Sequence, residues 1–191
     1  MSLPGVSREG LGWLPTRSRP FKRGSGSSMT GPREMFEFRE VQTSSDGEID
    51  LVLERREPAH PERGDLPCYH FRITPHGSSE RVGLLRLRVG SEEELFFPGH
   101  IGYEVDPPFR GHHYAEKAVR LVLPVARAQG FQSVVVTCRP DNLASRRTLE
   151  RLGARPLGEF EVPRTHEMYP KYVRHGGAAG APILRYELAT G

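Results

Sequence analysis

At 191 residues the chain has room for one ordinary domain with a substantial core, and two would be cramped. Hydrophobic residues at 36% and charged ones at 27% give a soluble globular balance, and no apolar run reaches the roughly 18 residues of a membrane span. The net charge of +3 divides unevenly: residues 1–34 hold six basic residues against two acidic, +4 in all, which leaves −1 for the remainder. The pI near 9.1 therefore belongs to this first stretch, and the rest shows no general nucleic-acid signature.

Residues 1–34 mix Pro, Gly, Ser and Arg without a period of two or 3.6, and Gly24 to Ser28 reads as a flexible linker. The expectation is a disordered basic tail or an appended segment, followed by a single domain over residues 35–191. There is no apolar core of a secretory signal. Met35 to Val41 alternates as a first strand would, and Ser44-Ser45-Asp46-Gly47 turns into a strand over Ile49 to Leu53. Pro58, Pro61, Gly64 and Pro67 mark a loop. Tyr69 to Ile73 and Val82 to Val89, joined at Pro75-His76-Gly77, predict an antiparallel hairpin with Leu85, Leu87 and Val89 inward.

After the acidic turn Ser91 to Glu94, a strand runs from Gly99 to Val105. It breaks at Pro107-Pro108 and reopens through Arg110-Gly111 into a helix expected over His112 to Gln129. Ala115, Ala118, Val119, Val122 and Ala126 fall on one stripe of that helix, with Pro124 inside it. The start of such a helix leaves N–H groups unpaired at the positive end of its dipole, an anion site. Ser133 to Cys138 is a continuous β-branched run, as a covered strand would be. Asp141 or Asn142 caps a second helix to Leu152, and strands follow at 155–162 and 183–188, separated by a long loop. The order predicts a mixed α/β (α+β) domain with its parallel crossover at the long helix.

Cys68 and Cys138 lie far apart inside strand-like runs, so two buried reduced thiols are expected, fitting a reducing cytoplasm. The eight histidines show no metal-ligand spacing, and no metal is expected.

Gly102-Tyr103-Glu104-Val105-Asp106-Pro107 with Arg110-Gly111-His112-His113-Tyr114-Ala115 resembles motif A of the GNAT acetyltransferases, Arg/Gln-x-x-Gly-x-Gly/Ala. Asn142-Leu143-Ala144-Ser145 and Leu149 to Gly153 resemble that superfamily's next segment, and the likeness is greatest to its ribosomal-protein-acetyltransferase-like branch. The resemblance runs from about residue 99 to 158, and back as a strand pattern to about residue 35. It implies a GNAT fold: a mixed, mostly antiparallel sheet with a splayed central parallel strand pair and flanking helices. It further implies an acetyl-CoA site between the strands ending at Val105 and Cys138. The pantetheine arm would pair with Val105's strand, the N–H groups of Gly111, His112, His113, Tyr114 and Ala115 would face the pyrophosphate beside Arg110, and Asn142 and Ser145 would lie near the arm.

The sequence departs from the motif at His113, where the family has its central Gly. A first-turn helical residue has negative φ, so the reading here is that a side chain is tolerated. For the chemistry, His100, Gly102 and Glu104 share one face of their strand and Ile101, Tyr103 and Val105 the other. The polar set offers Glu104 or His100 as base or relay, or Glu104 as an arginine's partner. The family's helix tyrosine aligns with Leu149, which cannot donate a proton. Ser145, Tyr114, Tyr169 or water could act as the acid, or the thiolate could leave unaided. Cys138 as a nucleophile is set against a packing role, which its strand context favours. Arg146, Arg147 and Arg151 could reach the 3′-phosphate or simply form a wet helix face. Residues 92–97 and 160–177 would shape the acceptor pocket.

The reading is an N-acetyltransferase acting on a primary amine of a small molecule or peptide, with an acetyl-CoA sensor lacking turnover as the alternative. No membrane partner is expected, nucleic acid is expected only through the basic tail, and a homodimer is left open.

Overall fold

The computed structural model describes residues 36–165, 169–174 and 182–191. The basic residues 1–34 lie outside that set. Eight strands form one sheet: β1 (Ser44–Ser45), β2 (Ile49–Glu57), β3 (Cys68–Pro75), β4 (Gly83–Arg88), β5 (Ile101–Val105), β6 (Ser133–Cys138), β7 (Arg155–Glu161) and β8 (Pro182–Ala189). Their order across the sheet is β1-β2-β3-β4-β5-β6-β8-β7, and every neighbouring pair is antiparallel except β5 and β6. The helices are α1 (Tyr114–Ala128), α2 (Leu143–Arg151) and the short α3 (Tyr169–Arg174).

The predicted hairpin is β3–β4. Phe71 pairs with Leu85 and Tyr69 with Leu87, and all four side chains are buried. α1 packs on β2, β4 and β5 through the buried stripe Ala118, Val119, Val122, Val125 and Ala126. Burying each of the three valines contributes about 1.5–3 kcal/mol, which fastens the helix to the sheet. Pro124 lies inside α1 on its exposed side, where its ring meets water rather than the sheet.

Three expectations need correction. Residues 36–41 form no strand. Phe36 and Phe38 meet edge to face at 5.0 Å, Phe38 meets Tyr69 in the same way, and the Arg39 N–H donates to the Tyr69 hydroxyl at 2.8 Å. Two aromatics two residues apart alternate because an extended segment packs them on one side, without a ladder. The second correction concerns the loop between the last strands, which contains α3; Met168 and Gly176-Gly177 lie outside the described residues. The third is that α1 begins at Tyr114 and not at His112.

Asn142, and not Asp141, caps α2: its Oδ1 accepts from the Ser145 N–H at 3.0 Å. Asn142→Ala is expected to cost about 1 kcal/mol. For a chain of this size that is a fall of roughly 2–4 °C in melting temperature, read by circular dichroism.

Candidate functional site

β5 and β6 touch at one end and part at the other. Ile101 is registered with Val136, and just before it the His100 N–H donates to the Val135 carbonyl at 2.7 Å. The imidazole completes the seam, because its Nδ1 accepts from the Val135 N–H at 3.0 Å. The ring also meets Phe131 edge to face at 4.6 Å, and the residue is 8% exposed. Beyond Ile101 the strands diverge around a cleft of about 820 Å³, within the usual range for small-molecule sites.

The mouth of the cleft is a turn that leaves backbone N–H groups without acceptors among the described residues. Asp106, Pro107, Pro108 and Phe109 close a 3-10 turn, and Gly111 (φ 92°) and His113 (φ 59°) then adopt left-handed backbone conformations before α1 starts. The first α1 hydrogen bond is Lys117 N–H to the His113 carbonyl. Among the described residues, the six consecutive backbone N–H groups from Gly111 to Glu116 have no protein acceptor, and no side chain caps the helix. A left-handed kink ahead of a helix turns successive N–H groups into one concavity, where the helix dipole adds to their pull on an anion.

This corrects the expectation for the departing residue. His113 precedes α1 and has positive φ, which explains why glycine is the usual occupant: a Cβ in this conformation costs roughly 1–2 kcal/mol. His112 is exposed and stacks on Tyr114 at 5.4 Å, outside the cleft lining. The Arg110 side chain folds back, its Nε donating to the Val105 carbonyl at 3.0 Å, and so ties the turn to the end of β5.

The remaining candidates separate. Glu104, Val105, Arg110, Gly111, His113, Tyr114, Ala115, Asn142 and Ser145 all line the cleft; His100 and His112 do not. His100 Nδ1 is committed to Val135, and burial pushes its imidazole down to about 4, both of which argue against a role as base. Tyr169 does not line the cleft. Arg147 and Arg151 do, with Arg151 bonded to Glu116 at 2.9 Å, whereas Arg146 donates to the Pro140 carbonyl. Cys138 is buried at the cleft wall with its thiol pushed up by desolvation, which suits packing over nucleophilic attack. Cys68 is also free, buried and pushed up to about 11.

Tyr103, grouped in the sequence with the apolar face of Ile101 and Val105, is not among the sequence's candidate residues. It does share a face with Ile101, as alternation required, but its hydroxyl lies 2.9 Å from Ser145 Oγ at the inner end of the cleft. Burial pushes the phenol up to about 12. The available signal was a tyrosine in an apolar alternation, whose hydroxyl must find a partner when buried. Leu149, at the position of the family's helix tyrosine, is fully buried.

A family model described as an acetyltransferase (GNAT) domain matches residues 29–155. The chain belongs to the GNAT acetyltransferase family. It is 27% identical over 75 residues to the uncharacterized N-acetyltransferase YnaD of Bacillus subtilis (strain 168), a match covering 38% of this chain and 44% of that protein. The chain thus aligns with less than half the length of that curated relative. A ribosomal-protein-S5-alanine acetyltransferase from Vibrio fischeri is similar in fold, with a TM-score of 0.55 at 15% identity over 79% of this chain and 97% of that one. A GNAT-family acetyltransferase from Bacillus anthracis aligns at 22% identity over 63% of this chain and 66% of its own, with a TM-score of 0.48. No helix among the described residues is long and apolar enough to cross a membrane, and none of their His, Cys, Asp and Glu side chains group as a metal site would.

His100 has a consequence for pH. Its folded-state value of about 4 lies below the unfolded value near 6.5, so the unfolded chain binds the proton first as pH falls. The stability contributed by the neutral ring is present above about pH 6.5 and is lost as pH drops through the folded-state value. The loss is on the order of 3 kcal/mol. His100→Asn keeps an acceptor for Val135 without titrating. Thermal melts between pH 7 and pH 4.5 are expected to fall less steeply for this variant than for the parent.

Proposed function

We propose that the chain is an acetyl-CoA-dependent N-acetyltransferase that acylates a primary amine by direct attack in a ternary complex. The observation that carries this is the run of six unpaired N–H groups, Gly111 to Glu116, at the mouth of the cleft between β5 and β6. These donors fit a pyrophosphate, the free edge of β5 fits the pantetheine arm, and Arg147 offers a cation for the terminal phosphate. Charge-assisted hydrogen bonds are worth roughly 1.5–3 kcal/mol each, so a few of them support micromolar affinity after association costs. Bound acetyl-CoA supplies the acyl group as an activated thioester.

The chain supplies proton handling. Glu104 is exposed at the open end of β5 and accepts the amine's proton, directly or through water. Tyr103, held by Ser145, remains protonated and donates its hydrogen bond to the sulfur as the carbon–sulfur bond breaks. Asn142 acts through α2, fixing the helix that positions Ser145. With Tyr103 and Ser145 able to act as the acid, turnover is favoured over a sensor role. A thiol-release assay across small amines and peptides tests this. Release with at least one amine, reduced roughly 100-fold in Glu104→Gln, is the expected result. Tight coenzyme binding with no release from any acceptor would leave the sensor.

A further inference from the structure

The sheet's second face, turned away from α1, has two unlike halves separated by the β5–β6 cleft. Against β7 and β8 the side chains of Phe96, Phe97, Phe160, Val162 and Ile183 cluster, and the Arg185 guanidinium lies over the Phe96 ring at 3.7 Å. On β3–β4–β5 the same face carries Arg72, Arg86 and Arg88, as the alternation from the buried Phe71, Leu85 and Leu87 requires. Resting on the function proposed above, we propose that these arginines form the acceptor subsite and that the acceptor is a small amine carrying an anionic group, a carboxylate or phosphate.

Three observations point there. Among the described residues, none of the three arginines forms an ion pair, whereas Arg55, Arg56, Arg63, Arg81, Arg120 and Arg151 do. Arg88 is the sharpest case. Its guanidinium lies across Gly102, with Nη1 3.3 Å from where a β-carbon would stand, so a side chain there would push the guanidinium aside by a few tenths of an ångström. The protein gives Nη1 two main-chain carbonyls, Pro98 at 3.4 Å and Gly99 at 3.5 Å, both at the outer limit of a hydrogen bond. Burial and the neighbouring Arg86 both act against its charge. The Nε of Arg72 is buried without a hydrogen-bond partner among the described residues.

Half-burying guanidinium groups without a counter-charge is costly, and folded chains normally pair them. An arriving anion would supply the missing partner, and guanidinium groups suit a planar carboxylate or a phosphate through paired hydrogen bonds. The placement also suits the chemistry. Gly102 lines the cleft, and Glu104, the base, is the next residue on the same face of β5. An acceptor anchored by its anion at Arg88 would present its amine beside Glu104. Two carboxylates of the adjoining β2 are already engaged, Glu57 with His70 and Arg55 and Asp50 with His76.

The test uses matched acceptors in the thiol-release assay: an amino acid against its methyl ester, and phosphoethanolamine against ethanolamine. The anionic member of one pair is expected to have a kcat/KM at least tenfold higher, a difference of about 1.4 kcal/mol, and the pair that shows it identifies carboxylate or phosphate. Arg88→Gln and Arg86→Gln are expected to remove that preference by raising KM for the anionic amine, with the neutral member within about threefold and calorimetric coenzyme A affinity unchanged. Should Arg88→Gln not fold, the half-buried Arg86 variant alone carries the comparison. Equal rates for both members of both pairs overturn this inference and leave the acetyltransferase reading standing. Loss of coenzyme binding in the arginine variants overturns this inference alone, whereas failure of the parent to bind coenzyme A or to acylate any amine overturns both.

Discussion

His113→Asp is expected to abolish coenzyme A binding in calorimetry while leaving the melting temperature within about 3 °C of the parent. The reason lies in separating backbone from charge. His113 holds a left-handed conformation (φ 59°), which aspartate tolerates better than most residues because its short polar side chain bonds locally. The turn that aims the N–H groups of Gly111 to Glu116 should therefore survive. What changes is the field. A carboxylate about 4 Å from a phosphate charge repels it by about 4 kcal/mol at an effective dielectric of 20, equivalent to roughly a thousandfold in affinity. His113→Gly restores the motif's usual residue and should bind coenzyme normally. His113→Ala should stay within about tenfold, because it removes the imidazole and no backbone donor. An aspartate variant with near-parent affinity would remove the anion-site assignment.

Tyr103→Phe is the second large effect: kcat is expected to fall about 100-fold, with coenzyme affinity and acceptor KM changing less than threefold. The phenol is bonded to Ser145 Oγ at 2.9 Å and pushed up to about 12 by burial, so it stays protonated through the neutral range. Removing one hydroxyl leaves Ser145 without that partner, worth about 1–3 kcal/mol of stability, which a thermal melt would register separately from the kinetic loss. Ser145→Ala should show a smaller kinetic fall, since the tyrosine keeps its donor and loses only its alignment. Unchanged kcat in Tyr103→Phe would assign proton supply to solvent.

The sequence carried the elements that rest on periodicity. Leu85 and Leu87 disclosed the central hairpin because their alternation is fixed by one buried face, and Ala118, Val119 and Val122 disclosed α1 by the same logic at a different period. It misled where two causes give one pattern: Phe36 and Phe38 alternate through aromatic packing against Tyr69, not through a ladder. It was silent where tertiary partners decide a residue's meaning. His100 and Tyr103 were sorted by polarity, yet the polar one closes the seam with Val135 and the aromatic one points its hydroxyl into the cleft. The start of α1 was misplaced because nothing in a histidine announces positive φ. The arginines on β3 and β4 were legible as an outward face, but their lack of ion pairs exists only in three dimensions.

The single parallel pairing at Ile101 and Val136 also bears on how the domain holds together. Five strands lie on one side of it and three on the other, and α1 is packed chiefly on the five. The β6–β8–β7 unit therefore shares few main-chain bonds with its neighbour and is held across the boundary by His100, by the Tyr103–Ser145 bond and by the common apolar core under α1. Local opening in proteins follows such boundaries. A ligand laid along the parted strands is expected to act as the missing ladder, so that occupancy of the cleft raises the resistance of this boundary to local opening.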